Sequence, residues 1–197
     1  MSALAISNVV LWIVVLALLA LVLALTRQIG VLHERIAPVG ALMLNRGLAV
    51  GEPAPALDVV DLEGANIRLG GARADGKSTL LLFVSPTCPV CKSLLPIVKS
   101  SERQERDWLD IILASDGNAE EHRSYVRSNG LGGVPYVLSA PLGMTYQVNR
   151  LPFAALVDEA GVLRARGLVN SREHLESLFE AKRLGVASLQ DYFSTAK

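Results

Sequence analysis

Ser78-Thr79-Leu80-Leu81-Leu82-Phe83-Val84-Ser85-Pro86-Thr87-Cys88-Pro89-Val90-Cys91-Lys92, residues 78–92, is the stretch whose reading decides the fold. From Ser78 to Ser85 it is a continuous apolar run, the pattern of a strand buried on both faces. After Pro86-Thr87-Cys88-Pro89 it predicts a helix that runs to about Gln104. The only two cysteines of the chain therefore sit where a buried strand ends and a helix begins. Free N–H groups and the helix dipole favour an anion at that place, so the position favours a thiolate at Cys88. Pro89 suits the first helical turn because it has no N–H to leave unpaired. Positions i and i+3 share a helix face, so the two sulfurs can reach disulfide geometry. This spacing points to thiol–disulfide exchange, in which Cys88 attacks a substrate disulfide and Cys91 resolves the mixed disulfide.

Other uses of a cysteine pair fit less well. A structural zinc site needs four ligands, and His33, His122 and His174 are scattered. Covalent haem attachment needs a histidine after the second cysteine, where Lys92 stands. A peroxidatic cysteine follows a threonine at a longer spacing, whereas Thr87 abuts Cys88. An inert, merely packed pair is the remaining alternative. No metal and no cofactor beyond a redox-active Cys88–Cys91 disulfide is expected.

Working outward, Leu57 to Leu69 reads as a hairpin around Glu63-Gly64, after the stiff Gly51-Glu52-Pro53-Ala54-Pro55. Downstream, strands are predicted at 108–115, 134–139, 153–158 and 162–169. A polar helix over 118–128 opens at Asn118, a brief helix lies near Met144, and a last helix starts from Ser171 and runs to about Leu184. This alternation predicts an α/β fold with helices on both faces of one sheet.

The chain has 197 residues, with 19 basic and 19 acidic side chains. That balance gives no support to nucleic-acid binding. Apolar residues make up 51%, and the excess is concentrated at the N-terminus. No charged side chain precedes Arg27, and Val9 to Leu25 is apolar throughout. With residues 3–8 in front, a helix of about 23 residues would span roughly 34 Å, enough for a hydrocarbon core of about 30 Å. A cleaved signal peptide would carry a basic start and a small-x-small site; here the start has no Lys or Arg, and Ala24-Leu25-Thr26 is a poor site. We expect an anchor over 1–26 held in membrane lipid through residues 3–25, a part-helical linker over 27–48 in which Gly30, Pro38, Gly40 and Gly47 break any long regular element, a folded domain over 49–184, and a tail over 185–197. Arg27, Arg35 and Arg46 all follow the apolar run, so the positive-inside rule alone would put the domain in the cytoplasm.

Phe83 to Lys92, with Pro96 five residues after the second cysteine, resembles the strand, active site and kinked helix of the thioredoxin superfamily. Leu151-Pro152-Phe153, before an apolar strand, resembles the cis-proline element of that superfamily, with Val134-Pro135-Tyr136 as a rival. The resemblance implies that Pro152, with Leu151 beside it, lies near Cys88 and positions substrate backbone. It also makes Thr87, Pro89 and Val90 active-site neighbours. The 51–69 hairpin is similar to the N-terminal addition of the peroxiredoxin and TlpA-type branches. Most of the chain resembles the MauD family of methylamine-utilisation accessory proteins. The features are the anchor, Gly40 to Asn45, the Cys88-Pro89-Val90-Cys91 site, Val134 to Ser139, and Gly167 to Leu178.

That resemblance implies a periplasm-facing domain, against the local charge bias. It implies a client, the disulfide-rich small subunit of methylamine dehydrogenase, and a membrane redox partner such as MauE. The expected function is disulfide formation or isomerisation during maturation of that client. Two alternatives stand beside it: a TlpA-like periplasmic thiol reductase serving haem or copper proteins, and a non-enzymatic membrane-tethered chaperone. The sequence departs from thioredoxin in two places. Leu82 stands where thioredoxins bury a proton-relaying acid, and Thr87 replaces the tryptophan before the first cysteine. Resolution by Cys91 would then need another base.

Overall fold

A computed structural model describes residues 2–35 and 48–185, with side chains over 5–23 and 48–185. The chain divides into two units, Met1–Arg46 and Gly47–Lys197. In the first, helix α1 spans Ser2–Arg35. Its segment Ala5–Leu23 is long and apolar enough to cross a membrane, and every side chain in that segment is exposed. The helix does not stop at Thr26, and Gly30 does not break it as the linker reading expected. An interior glycine costs a helix only about 1 kcal/mol relative to alanine, too little to end one by itself. The rest of that linker, with Pro38, Gly40, Gly47 and the 40–45 segment, lies outside the described residues, as do tail residues 186–197 and the side chains of Arg27, Arg35 and Arg46.

The second unit is built on a five-stranded sheet in the order β5-β4-β3-β6-β7, formed by β3 (Ser78–Phe83), β4 (Leu109–Ser115), β5 (Tyr136–Leu138), β6 (Phe153–Val157) and β7 (Leu163–Leu168). Strand β3 is central and buried along its whole length. It pairs parallel with β4, which pairs parallel with β5, and antiparallel with β6, which pairs antiparallel with β7. One face of the sheet packs against α2 (Pro89–Glu105), α3 (Ala119–Ser128) and α5 (Arg172–Leu184), through Leu94, Leu95, Val98, Tyr125, Leu175 and Phe179. The other face is covered by α4 (Ala140–Thr145), with Leu142 and nearby Tyr146, and by the hairpin of β1 (Leu57–Val60) and β2 (Asn66–Leu69). The sheet does carry helices on both faces, but one face is closed largely by a hairpin.

The segment leading into and through that hairpin also closes both edges of the sheet. At the β7 edge, Gly51 N donates to Leu163 O at 2.8 Å and Leu163 N to Glu52 O at 3.0 Å, beside a Pro53–Val162 bridge. At the β5 edge, Leu62 N donates to Tyr136 O at 2.9 Å, beside an Asp61–Val137 bridge. Unpaired strand edges invite association with other chains, and this arrangement blunts both. The fit depends on Gly161, in the β6–β7 turn, whose φ is +81° and where a Cβ would come within 2.4 Å of the Gly71 backbone.

Candidate active site

Strand β3 delivers the chain to the carboxyl end of the sheet, and the loop after it places Cys88 as the N-cap of α2. Open α/β sheets commonly bind ligands at this end. The Cys88 backbone is extended there, with φ −86° and ψ 113°, so its side chain turns back over the first helical turn. The Cys88 Sγ accepts a hydrogen bond from the Cys91 N–H at 3.2 Å. That contact satisfies one orphan donor of the helix. Pro89 opens the helix, and Pro96 lies inside it. Both thiols are free; Cys88 is half-buried and Cys91 fully buried. Burial first, then the hydrogen bond to Cys88, pushes the Cys91 thiol up to about 12. The two sulfurs thus have different environments: one is reachable and held by a helix N–H, the other is shielded and reluctant to ionise.

The residues around Cys88 are open. Thr87, Pro89 and Val90 are all exposed, Val90 by 42%. The loop is braced by Ser85, whose hydroxyl lies 2.9 Å from that of Thr87 and whose carbonyl accepts from Cys88 N at 3.2 Å. The Leu151–Pro152 bond is cis, and it is the only cis bond among the described residues. The rival Pro135 instead precedes β5, and its carbonyl accepts from Leu113 N at 2.9 Å. Pairing of Phe83 with Phe153 brings the start of β6 beside the end of β3, so Leu151 and Pro152 lie at the same end of the sheet as the Cys88 loop. Pro152 is buried, its carbonyl accepting from Val169 N at 3.1 Å, and Leu151 is 40% exposed.

Leu82 is fully buried in the same cluster as Cys91, so no carboxylate stands at that position. What the sequence reading missed lies on α3 and β5. His122 and Tyr125 are buried one helical turn apart on α3, Tyr125 in the cluster that contains Cys91, and Tyr136 of β5 meets both side chains. The i, i+3 spacing of His122 and Tyr125 was the available signal, hidden in a helix that is otherwise polar. A cavity of about 680 Å³ lies at the opposite end, lined by Lys77, Leu109 and Asp110 at the starts of β3 and β4, away from the cysteines. Among the described residues no group of three His, Cys, Asp or Glu side chains is placed to hold a metal ion.

No protein-family model matches the chain. Curated relatives do. The methylamine utilization protein MauD of Paracoccus denitrificans is 47% identical over 191 residues, covering 97% of this chain and 94% of the relative. That of Paracoccus versutus is 45% identical over 197 residues, covering 100% and 98%. The chain belongs to the MauD family. Among solved structures, the thioredoxin domain of a thiol-disulfide oxidoreductase from Bacteroides vulgatus superposes with a TM-score of 0.58 at 22% identity, covering 68% of this chain and 98% of that one. StoA from Bacillus subtilis superposes with a TM-score of 0.55 at 23% identity, covering 66% and 98%. These likenesses establish a thioredoxin-like fold for this MauD-family chain, with one N-terminal helix that has the length and composition of a membrane anchor or a signal sequence.

Proposed function

We propose that this MauD-family chain is a membrane-anchored thiol–disulfide oxidoreductase whose redox centre is the Cys88–Cys91 pair. The observation that carries the reading is the asymmetry of the two thiols. Cys88 is half-buried and accepts the Cys91 N–H, while Cys91 is fully buried with its thiol pushed up to about 12. Cys88 is the attacking sulfur and Cys91 the resolving one. With the pair reduced, the Cys88 thiolate attacks a client disulfide, one client sulfur leaves as a thiolate, and a mixed disulfide forms. Either Cys91 completes resolution, or another client thiolate displaces Cys88 and the client's pairing is rearranged. With the pair oxidised, the flow reverses: a client thiolate attacks Cys88, Cys91 leaves with the electrons, and a second client thiolate releases Cys88 as the client disulfide closes.

Leu151 and Pro152 flank this exchange by offering backbone to an extended client segment, a form of strand addition. Thr87, Pro89 and Val90 form the exposed surface that meets it. The division of labour along the chain is an anchor over 1–26, a linker over 27–48, a catalytic domain over 49–184 and a tail over 185–197. The relatives' name places them in methylamine utilization. The client on this reading is the small subunit of methylamine dehydrogenase, the electron partner is a membrane protein such as MauE, and the domain faces the periplasm, where disulfides persist. Direction is set by the reduction potential of the pair, since about 30 mV corresponds to about 1.4 kcal/mol for a two-electron couple. A potential near that of strong oxidants fits disulfide formation, and one near thioredoxin fits the reductase alternative.

The test is trapping in cells. Cys91→Ser should accumulate a mixed disulfide between Cys88 and the small subunit or the membrane partner on non-reducing gels, and Cys88→Ser should trap far less. Trapping by Cys88→Ser but not by Cys91→Ser would exchange the two roles. Trapping by neither would remove the redox reading.

A further inference from the structure

The buried environment of Cys91 lacks the acid that a resolving thiol would use, because Leu82 stands at that position. Yet this side of the sheet contains an uncommitted donor. Among the described residues two buried side-chain polar atoms have no hydrogen-bond partner, the hydroxyls of Tyr125 and Tyr146. Tyr125 lies in the hydrophobic cluster that contains Cys91 and against which Cys88 packs, while Tyr146 lies in the cluster on the opposite face of the sheet. A buried hydroxyl without a partner carries a desolvation cost, and such groups in folded proteins call for an explanation.

The titratable groups near Tyr125 are Cys91 on α2 and Cys88 at its N-cap, whose charges act on it although neither thiol sulfur is hydrogen-bonded to its hydroxyl, and Tyr136 on β5 with His122 behind it. Tyr136 is already engaged. Its hydroxyl lies 2.8 Å from His122 Nδ1, and His122 Nε2 lies 2.9 Å from the Asp116 carbonyl. A carbonyl can only accept, so Nε2 carries the proton and, in the neutral ring, Nδ1 accepts from Tyr136. The ring of Tyr136 holds that of Tyr125 edge-on, with centroids 6.5 Å apart at 74°. The Tyr125 O–H is the donor of this group that nothing else takes up. Burial, followed by the charges of Cys91 and Cys88, pushes it up to about 12, so it stays protonated at working pH. Tyr146 is pushed up to about 12 by burial alone.

We propose that Tyr125 supports the resolving step by donating its hydroxyl hydrogen bond to the thiolate that forms on Cys91. The proposal rests on the reading of Cys88–Cys91 as the redox pair. In that step Cys91 Sγ attacks Cys88 Sγ of the mixed disulfide. The Cys88–Cys91 bond forms, the bond from Cys88 to the client sulfur breaks, and its electron pair leaves on the client sulfur. The proton given up by Cys91 ends on that sulfur. The cysteine pair is oxidised, the client disulfide has been reduced, and no further reactant is needed. The phenol keeps its own proton throughout. It stabilises the charged form of Cys91, which burial otherwise disfavours.

The test uses the full chain in detergent, reduced and mixed with the aromatic disulfide dithiobis(nitrobenzoate). The first equivalent of coloured thiolate reports attack by Cys88, and the second reports resolution by Cys91. Tyr125→Phe deletes only the unpartnered oxygen, so a purely structural role leaves both phases unchanged and stability equal or higher. The expected result is a second phase slowed about tenfold or more, the scale of a hydrogen bond to a charged group, with its pH profile moved to higher pH and the first phase unchanged. Tyr146→Phe, the same deletion on the other face, should alter neither phase. A second phase that keeps its rate and pH profile in Tyr125→Phe overturns the proposal, and so does an equal slowing of both phases. A wild-type chain with no second phase would instead remove the redox pair itself, which separates the two failures.

Discussion

At the scale of the residue, the two cysteines share a helix turn but not an environment. Cys88 borrows an N–H from the turn it caps, and Cys91 is buried in the cluster that contains Leu82 and Leu94, with no exposed surface. Burial raises the Cys91 thiol to about 12, so its thiolate fraction should keep growing with pH well above the ordinary thiol value of about 8.5. In a Cys88→Ser chain, alkylation of Cys91 should be slow at neutral pH and still rising at about pH 9. A plateau below about pH 8 would contradict the assigned burial. The placement of Cys88 at the start of α2 was legible in the sequence because helix N-capping is a local property of strand, turn and helix. Tyr125 was not, since its importance comes from which face α3 turns toward α2 and from the commitment of Tyr136 to His122, neither of which local pattern encodes.

At the scale of the element, the hairpin and the segment before it behave as a strap over one face. Their strands were readable from alternation and from Glu63-Gly64, but pairing at both sheet edges is long-range and leaves no local mark. At the β6–β7 turn, Gly161 lies close against Gly71, two residues beyond the end of β2. Gly161→Ala would force a side chain into a left-handed φ of +81° and place its Cβ 2.4 Å from Gly71 carbonyl carbon. The expected loss is about 2 kcal/mol or more, read as a lower midpoint in denaturant melts. Near-wild-type stability would mean that the strap yields easily. A second tie at this turn joins Glu159 to Lys182 of α5 at 2.8 Å and to Ser78 of β3 at 3.2 Å, and Lys182 also lies 5.0 Å from the centre of the Trp108 ring. The register of the last helix is thereby fixed against the central strand. Helix α1 shows the limit of reading breakers one by one: a glycine that should interrupt the linker is absorbed within a helix reaching Arg35.

At the scale of the whole molecule, the fold puts Cys88 and Cys91 at the carboxyl end of the sheet and supplies a helix, Ala5–Leu23, with the length and composition to cross a bilayer. The full chain should stay with membranes through an alkaline wash, whereas a form starting at Arg27 should be soluble. A full chain recovered without detergent would remove the anchor. The central claim is that the chain acts on its client through Cys88 and Cys91 rather than by binding alone. The decisive measurement is the amount of active methylamine dehydrogenase in cells whose only copy of this chain carries Cys88→Ser together with Cys91→Ser, made at wild-type level. The account predicts that active enzyme is lost and that its small subunit lacks correct disulfides; enzyme maturing at the wild-type level would contradict it and leave a tethered chaperone in its place.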